Sequence, residues 1–285
     1  MVNENTFGDS VMERLLIFFF LFFFSPVYAW NQLGHMVIAD IAYHRLDSLT
    51  QKKVDSLINV LHNEYENISS LLEMSYWADD LRKQKIEIFT HWHYIDNTFS
   101  IDDTPTKNLI DSDNVVWAIN QIQTIIKNKN ANPYERARFL AFFVHIISDI
   151  HQPLHTTAIT SRNHPDGDKG GNHYHVLYHG KKENLHHLWD DGVDLFDEDA
   201  STMNAHLLAT QITTQYPESY FGEQVFDLNP EDWSQEGVIL AKEHVYLARE
   251  NEPLSADYIE DGHRIASQRV ALAGYRLAEF LKQVV

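Results

Sequence analysis

Cysteine does not occur in this 285-residue chain. No disulfide can form, and any metal site must be built from His, Asp, Glu and backbone groups instead of thiolates. Positive charge is scarce: 22 Lys and Arg face 41 Asp and Glu, for a formal net charge of −19. That balance excludes a general basic surface for duplex DNA. Phosphate binding would need local positive charge, from a few Arg or Lys or from bound metal. Long low-complexity tracts and repeats of fixed period are missing, which argues against a disordered chain and a solenoid. No stretch rich in Pro, Gly and Ser divides the chain in two. With 44 % hydrophobic residues it can bury a sizeable core.

An apolar run at 15–24, LLIFFFLFFF, is ten residues long, whereas a membrane-spanning helix needs about 20. It fits the apolar segment of a signal peptide instead. Val27 and Ala29 stand at the small-residue positions of a cleavage site, which places the cut between Ala29 and Trp30. The shortness of the run and this cleavage signal argue against an uncleaved anchor. The residues ahead of it are acidic for such a leader (Glu4, Asp9 and Glu13 against Arg14), so Met12 is an alternative start. Residues 1–29 are read as the signal peptide, and the mature chain carries −17. Export to a periplasmic or extracellular space is the expected localisation, with no stable membrane anchor after cleavage.

Beyond Trp30 the dominant period is helical. Helices are expected at 33–46, 50–62, 69–85 and 114–127, the last capped by Asp113, then from Pro133 to about His151. Others are expected at 185–195, 201–215, 232–249 and 255–283. The stretches 94–112 and 157–183 break the pattern. Within the second, His173–Tyr178 alternates and suggests a short hairpin. The expected fold class is all-α, one helical domain over residues 30–285.

Seventeen histidines are present, and their spacing is more informative than their number. His145/Asp149, His151/His155 and His186/Asp190 are each four apart, on one helical face. Asp79, His93 and His35 add further metal-type side chains, His35 five residues after the expected new N-terminus. Mixed His and carboxylate ligation suits zinc better than manganese or iron. The ligands are too many for one ion and would serve two or three. Clustered divalent ions are the usual apparatus of phosphate-ester hydrolysis.

The motifs WADDLR, HYID, DIHQPLH, DKGGN and NLHHLWD occur in this order between Trp77 and Asp190. Together with Trp30 behind a signal peptide, and with LAGYRLAEFL near the C-terminus, they resemble the trinuclear-zinc single-strand nucleases, the secreted enzymes of S-one and P-one type. The resemblance implies the helical phospholipase C/nuclease fold and three zinc ions. One zinc would be held by Asp79, His93, His145 and Asp149. A second would be held by the Trp30 amine and carbonyl, His35 and Asp149, whose carboxylate would bridge to the first. A third would be held by His155, His186 and Asp190. A hydroxide between the first two, helped by Asp79, would attack phosphorus, and the third would stabilise the departing 3′-oxygen. Arg82 matches a phosphate-binding position. Tyr94, Asp96 and Asn172 match a pocket in which a base stacks on a ring and its edge is read. The implied substrates are single-stranded DNA, RNA and 3′-nucleotides, cut by a monomer to leave 5′-phosphates. His151, His173, His175, His179 and His187 are read as non-ligands.

Two other functions remain in view. A zinc-dependent phospholipase C resembles this chain in fold and in its three-zinc arrangement, but its last ligand looks like Glu where Asp190 stands here. A non-catalytic zinc-binding protein of the periplasm would suit the His-rich loop but has no need of the paired helical ligands or Arg82.

Overall fold

The computed structural model describes residues 30–285. The signal peptide, the cut after Ala29 and the start at Met12 fall outside the described residues. The protein is predominantly helical, as expected, with two small two-stranded sheets.

Short polar residues start most helices by accepting hydrogen bonds from first-turn amides that would otherwise lack partners. Asn31 opens α1 (Gln32–His44) and Asp47 opens α2 (Ser48–His62). The expected helix over 69–85 is two pieces, α3 (Leu71–Met74) and α4 (Trp77–Lys83), separated by a break at Ser75 and Tyr76. Strand β1 (Asn97–Ser100) follows. Helix α5 (Val115–Lys127) is capped by Asn114, not by Asp113: the Asn114 side chain accepts from the amides of Val116 and Trp117. Helix α6 (Pro133–Asp149) begins with Pro at its first turn, where a missing N–H costs nothing.

Strand β2 (Thr157–Thr160) pairs in parallel with β1, Asn97 opposite Thr157. The stretch 94–112, expected to lack periodic structure, therefore contributes one strand. The expected hairpin exists, with β3 (His175–Tyr178) antiparallel to β4 (Lys181–Asn184). Helix α7 (Leu185–Asp190) is shorter than the expected 185–195, because Gly192, Val193 and Asp194 adopt positive φ and break it. Next come α8 (Thr202–Gln215), α9 (Glu218–Phe221) and α10 (Pro230–Glu243). The expected 232–249 helix ends at Glu243 and gives way to a separate 3-10 turn, Val245–Leu247. The last helix, α11 (Ala256–Val284), has 29 residues.

Helix α1 packs chiefly on α11 and α8, and α6 on α5 and α2. Gly274 lets α11 approach α1: a β-carbon there would lie 2.5 Å from Ile41 Cγ2. From Leu140 to Asp149 the whole of α6 is buried. A large apolar cluster surrounds α1 and α6, and a smaller one, including Leu154, Trp189 and Tyr246, lies under the sheets and α7. His35 of α1, Asp79 of α4 and His145 and Asp149 of α6 come together, and His186 and Asp190 of α7 lie with His155.

Candidate metal centre

The last turn of α6 brings His145 and Asp149 to one face. Asp149 uses its two oxygens in two directions. Oδ2 lies 2.9 Å from His93 Nδ1 and 3.2 Å from His145 Nε2, and Oδ1 lies 3.4 Å from His35 Nε2. Helix α4 adds Asp79, whose Oδ1 is 3.6 Å from His145 Nε2. The rings of His35 and His145 stack with centroids 4.1 Å apart. Two three-residue ligand sets result, Asp79/His93/His145 and His35/His145/Asp149, each with donor atoms within 4.8 Å of one another and every residue buried. The carboxylate of Asp149 stands between them, the position a bridging ligand requires.

A third set, His155/His186/Asp190, is equally compact and buried. His155 comes from the 3-10 turn Pro153–His155, and the other two sit four apart on α7. His186 Nε2 faces His155 Nε2 at 3.1 Å. Gln152, fully buried, donates from Nε2 to Asp190 Oδ1 at 2.7 Å and holds that carboxylate in place.

Backbone carbonyls orient three of the imidazoles. Nδ1 of His145 lies 2.8 Å from Ser75 O, that of His155 lies 2.7 Å from His93 O, and that of His186 lies 2.6 Å from Gly170 O. A proton on Nδ1 donated to each carbonyl leaves Nε2 as a bare lone pair aimed at the centre, the usual support for a ligating histidine. The break between α3 and α4 has a use here, since it frees Ser75 O from the helical ladder. Gly170 has φ +58°, and a β-carbon on it would come within 2.5 Å of Leu154 O, so a side chain there would displace the carbonyl that fixes His186.

These donors satisfy one another only in part, as where His93 Nδ1 meets Asp149 Oδ2. Both nitrogens of His35, His93 Nε2, Asp79 Oδ1 and Asp149 Oδ1 are buried without a hydrogen-bond partner. His145 Nε2 faces His93 Nδ1 at 3.0 Å. Burial pushes His35 well below its ordinary value and His93 down to about 3, so both favour the neutral form. Burial raises the carboxyls of Asp79 and Asp190. Burial also works against charge on His145, but the Asp149 and Asp79 carboxylates outweigh it and lift His145 to about 9. Unpartnered buried donors and carboxylates are costly. Divalent cations resolve the conflict, because neutral imidazole and ionised carboxylate are the forms that bind them. The residues present therefore fit a multi-ion centre.

Trp30 is buried, and its indole Nε1 donates to Ser148 O at 3.0 Å. The next amide, of Asn31, donates to Asp190 O at 2.9 Å. The start of the described chain is thereby held between α6 and α7. Arg82 lies one turn after Asp79, with Nη1 3.9 Å from Asp79 Oδ1. Tyr94 and Asp96 are half-buried beside His93 and Ile95. Burial, then the carboxylates of Asp168 and Asp111, raise Asp96 to about 7. Asn172 turns its amide nitrogen into its own loop, donating to Lys169 O at 2.8 Å.

His151 is buried away from the ligand sets, with Nδ1 2.7 Å from Ile147 O and Nε2 3.2 Å from Arg276 Nη1. Sequence reasoning missed Gln152 and Asp168. Asp168 accepts from the amides of Ile159 and Gly171 and from the Tyr246 hydroxyl, and so shapes the loop that presents Gly170. Both residues lie inside motifs already singled out, DIHQPLH and DKGGN. A polar residue inside such a motif was the available signal.

A helical fold with buried, contiguous His/Asp sets defines a protein with a multinuclear metal-binding architecture. The chain belongs to the S1/P1 nuclease family, whose family model matches residues 30–285. It is 27 % identical over 308 residues to Endonuclease 2 of Arabidopsis thaliana, covering 100 % of this chain and 99 % of that one. It is 27 % identical over 277 residues to Nuclease S1 of Aspergillus oryzae, covering 89 % and 91 %. With Nuclease P1 of Penicillium citrinum the identity is 23 % over 279 residues, covering 90 % and 97 %.

Proposed function

We propose that this protein is an exported, three-zinc nuclease that hydrolyses single-stranded DNA and RNA to 5′-phosphate ends and removes 3′-phosphates from nucleotides. The observation that carries this reading is the set of three contiguous His/Asp groups meeting around Asp149 and Asp190, with imidazoles oriented by backbone carbonyls. Family membership and the nuclease names of the relatives supply the reaction class.

Asp79, His93, His145 and Asp149 would hold one ion, and His155, His186 and Asp190 another. His35 and Asp149, with the Trp30 amine and carbonyl exposed by signal cleavage, would hold the remaining one. Zinc, when bound, supplies Lewis acidity toward phosphate oxygens and acidifies water toward neutral pH. Asp79, beside that position, orients the attacking water and accepts its proton. Arg82 binds a non-bridging phosphate oxygen and neutralises charge as the pentacoordinate phosphorus forms. Tyr94 stacks on an unpaired base, and Asp96 and Asn172 read its edge. Because a duplex hides both the face and the edge of a base, this pocket selects single strands.

The test measures hydrolysis of single-stranded DNA, duplex DNA and phosphatidylcholine, with and without a chelator, alongside metal analysis of protein beginning at Trp30. The expected result is preferential cleavage of single strands, about three zinc ions per chain, and loss of activity with metal. Equal cleavage of duplex would remove the base pocket from the reading. Cleavage of the lipid in place of DNA would reassign the protein to the phospholipase class.

A further inference from the structure

A second group of metal-type side chains lies on the far side of α1 from the centre. Asp40 follows His35 by five residues, about 7.5 Å along the helix axis and about 140° around it, so it faces away from the buried donors. Its carboxylate is 8 % exposed, whereas the side chains of His44, one turn later, and His206, on α8, are 59 % and 53 % exposed. Asp40 Oδ2 lies 3.1 Å from His206 Nδ1 and 3.5 Å from His44 Nδ1; His44 Nδ1 also lies 2.9 Å from the Asp40 backbone carbonyl, a contact the ring would release on binding through Nδ1 or keep on binding through Nε2. One donor atom from each of the three residues lies within 4.8 Å of the other two. Tetrahedral zinc with bonds of about 2.0–2.1 Å keeps its ligand atoms about 3.4 Å apart, and the two measured separations bracket that value.

The surroundings leave Asp40 to the imidazoles. Among the described residues its ion-pair partners are His44 and His206. The adjacent cation, Arg45, is engaged by Glu218 and lies over the Tyr275 ring at 4.9 Å. A surface cavity of about 570 Å³ adjoins the three side chains, which leaves room for water in the remaining coordination positions. The Asp40/His44 spacing of four is the one that lets two side chains on a helix share an ion, and His206 closes the set from a second helix.

We propose that Asp40, His44 and His206 form an additional, exchangeable zinc site on the protein surface, whose occupation ties α8 to α1. It binds more weakly than the buried centre, since both imidazoles must give up rotamer freedom to reach the ion. It has no contact with the reacting phosphate, so its effect is on the packing of α1, the helix that carries His35, and not on chemistry.

The experiment titrates the purified protein with zinc by equilibrium dialysis and metal analysis, for the wild type and for His44→Ala/His206→Ala. The wild type is expected to take up one equivalent more than the variant, filling last. Its Tm should rise by about 5–10 °C at a hundredfold excess of zinc over that site's Kd, a rise the variant lacks. Equal stoichiometry in the two proteins, or an equal rise in Tm, overturns the proposal. If the double variant does not fold, His206→Gln takes its place: it keeps a hydrogen-bond donor for Asp40 while removing an imidazole, and the same criteria apply. The readout is a difference in metal count, so it stands whether or not the protein proves to be a nuclease.

Discussion

The molecule sets the same residue types in two different surroundings. In the buried centre every carboxylate and imidazole of the three ligand sets is enclosed, and His145, His155 and His186 each have Nδ1 against a backbone carbonyl. On the outer face His44 Nδ1 also lies against a carbonyl, that of Asp40 at 2.9 Å, but His44 and His206 are more than half exposed. A ring enclosed before the ion arrives loses little entropy on binding, whereas an exposed one has more freedom to lose at that moment. The difference teaches that affinity resides largely in what stands behind the ligands. It also bears on those inner atoms that have no partner, such as both nitrogens of His35 and Asp79 Oδ1, which cannot turn to water as the exposed rings can.

The comparison breaks most severely at Asp149. Asp149→Asn keeps the shape but removes the charge that faces His35, His93 and His145. It should lower kcat/KM on single-stranded DNA by on the order of 10²–10³-fold, with fewer zinc ions per chain by metal analysis. A wild-type zinc count in this variant would show that Asp149 bridges nothing.

Making an inner site resemble the outer one calls for a milder change. Gln152→Ala removes the bond to Asp190 Oδ1 while leaving all three ligands of that set in place. Zinc affinity there should fall by about 10–100-fold, read by competition with a chromophoric chelator. Unchanged affinity would mean that Asp190 is held by packing alone.

Asp96 offers a contrast to Asp40, since its strongest charged neighbours are carboxylates, not imidazoles. With its pKa raised to about 7, it is a hydrogen-bond donor below that pH and only an acceptor above it. The KM for single strands should therefore change through pH 7, and Asp96→Asn should abolish that inflection. The stability sign also follows. The folded protein keeps this proton up to about pH 7, while the unfolded chain releases it near 4. Asp96 therefore favours the unfolded state progressively as pH rises across that interval, and its replacement by Asn should flatten the dependence of Tm on pH there. The smallest effect belongs to the outer site: His44→Ala/His206→Ala should leave turnover at low zinc unchanged.

Much of the inner centre was legible in the chain. Spacings of four placed His145 with Asp149 and His186 with Asp190, motif order drew in Asp79, His93 and His155, and nearness to the expected N-terminus drew in His35. Helix starts were also legible where a short polar side chain preceded an apolar period, although the cap of α5 fell on Asn114, one residue after the one expected. The pairing of β1 with β2 was not. Those strands lie about sixty residues apart and neither alternates clearly, so nothing local to either encodes the partner. Nor was the outer cluster legible, because Asp40 and His206 meet only through the packing of α8 on α1.

By itself, then, the sequence determined the ligand types, the absence of thiolate ligation and the helical period that puts ligands in pairs, because each of these is set by residue identity or by contacts within a few turns. Tertiary structure alone decided which pairs come together, which ring nitrogen faces the centre, and which carboxylates lose water. Those outcomes depend on carbonyls such as Ser75 O and Gly170 O, supplied by segments remote in the chain, and on burial, which no single segment possesses until the others have packed around it.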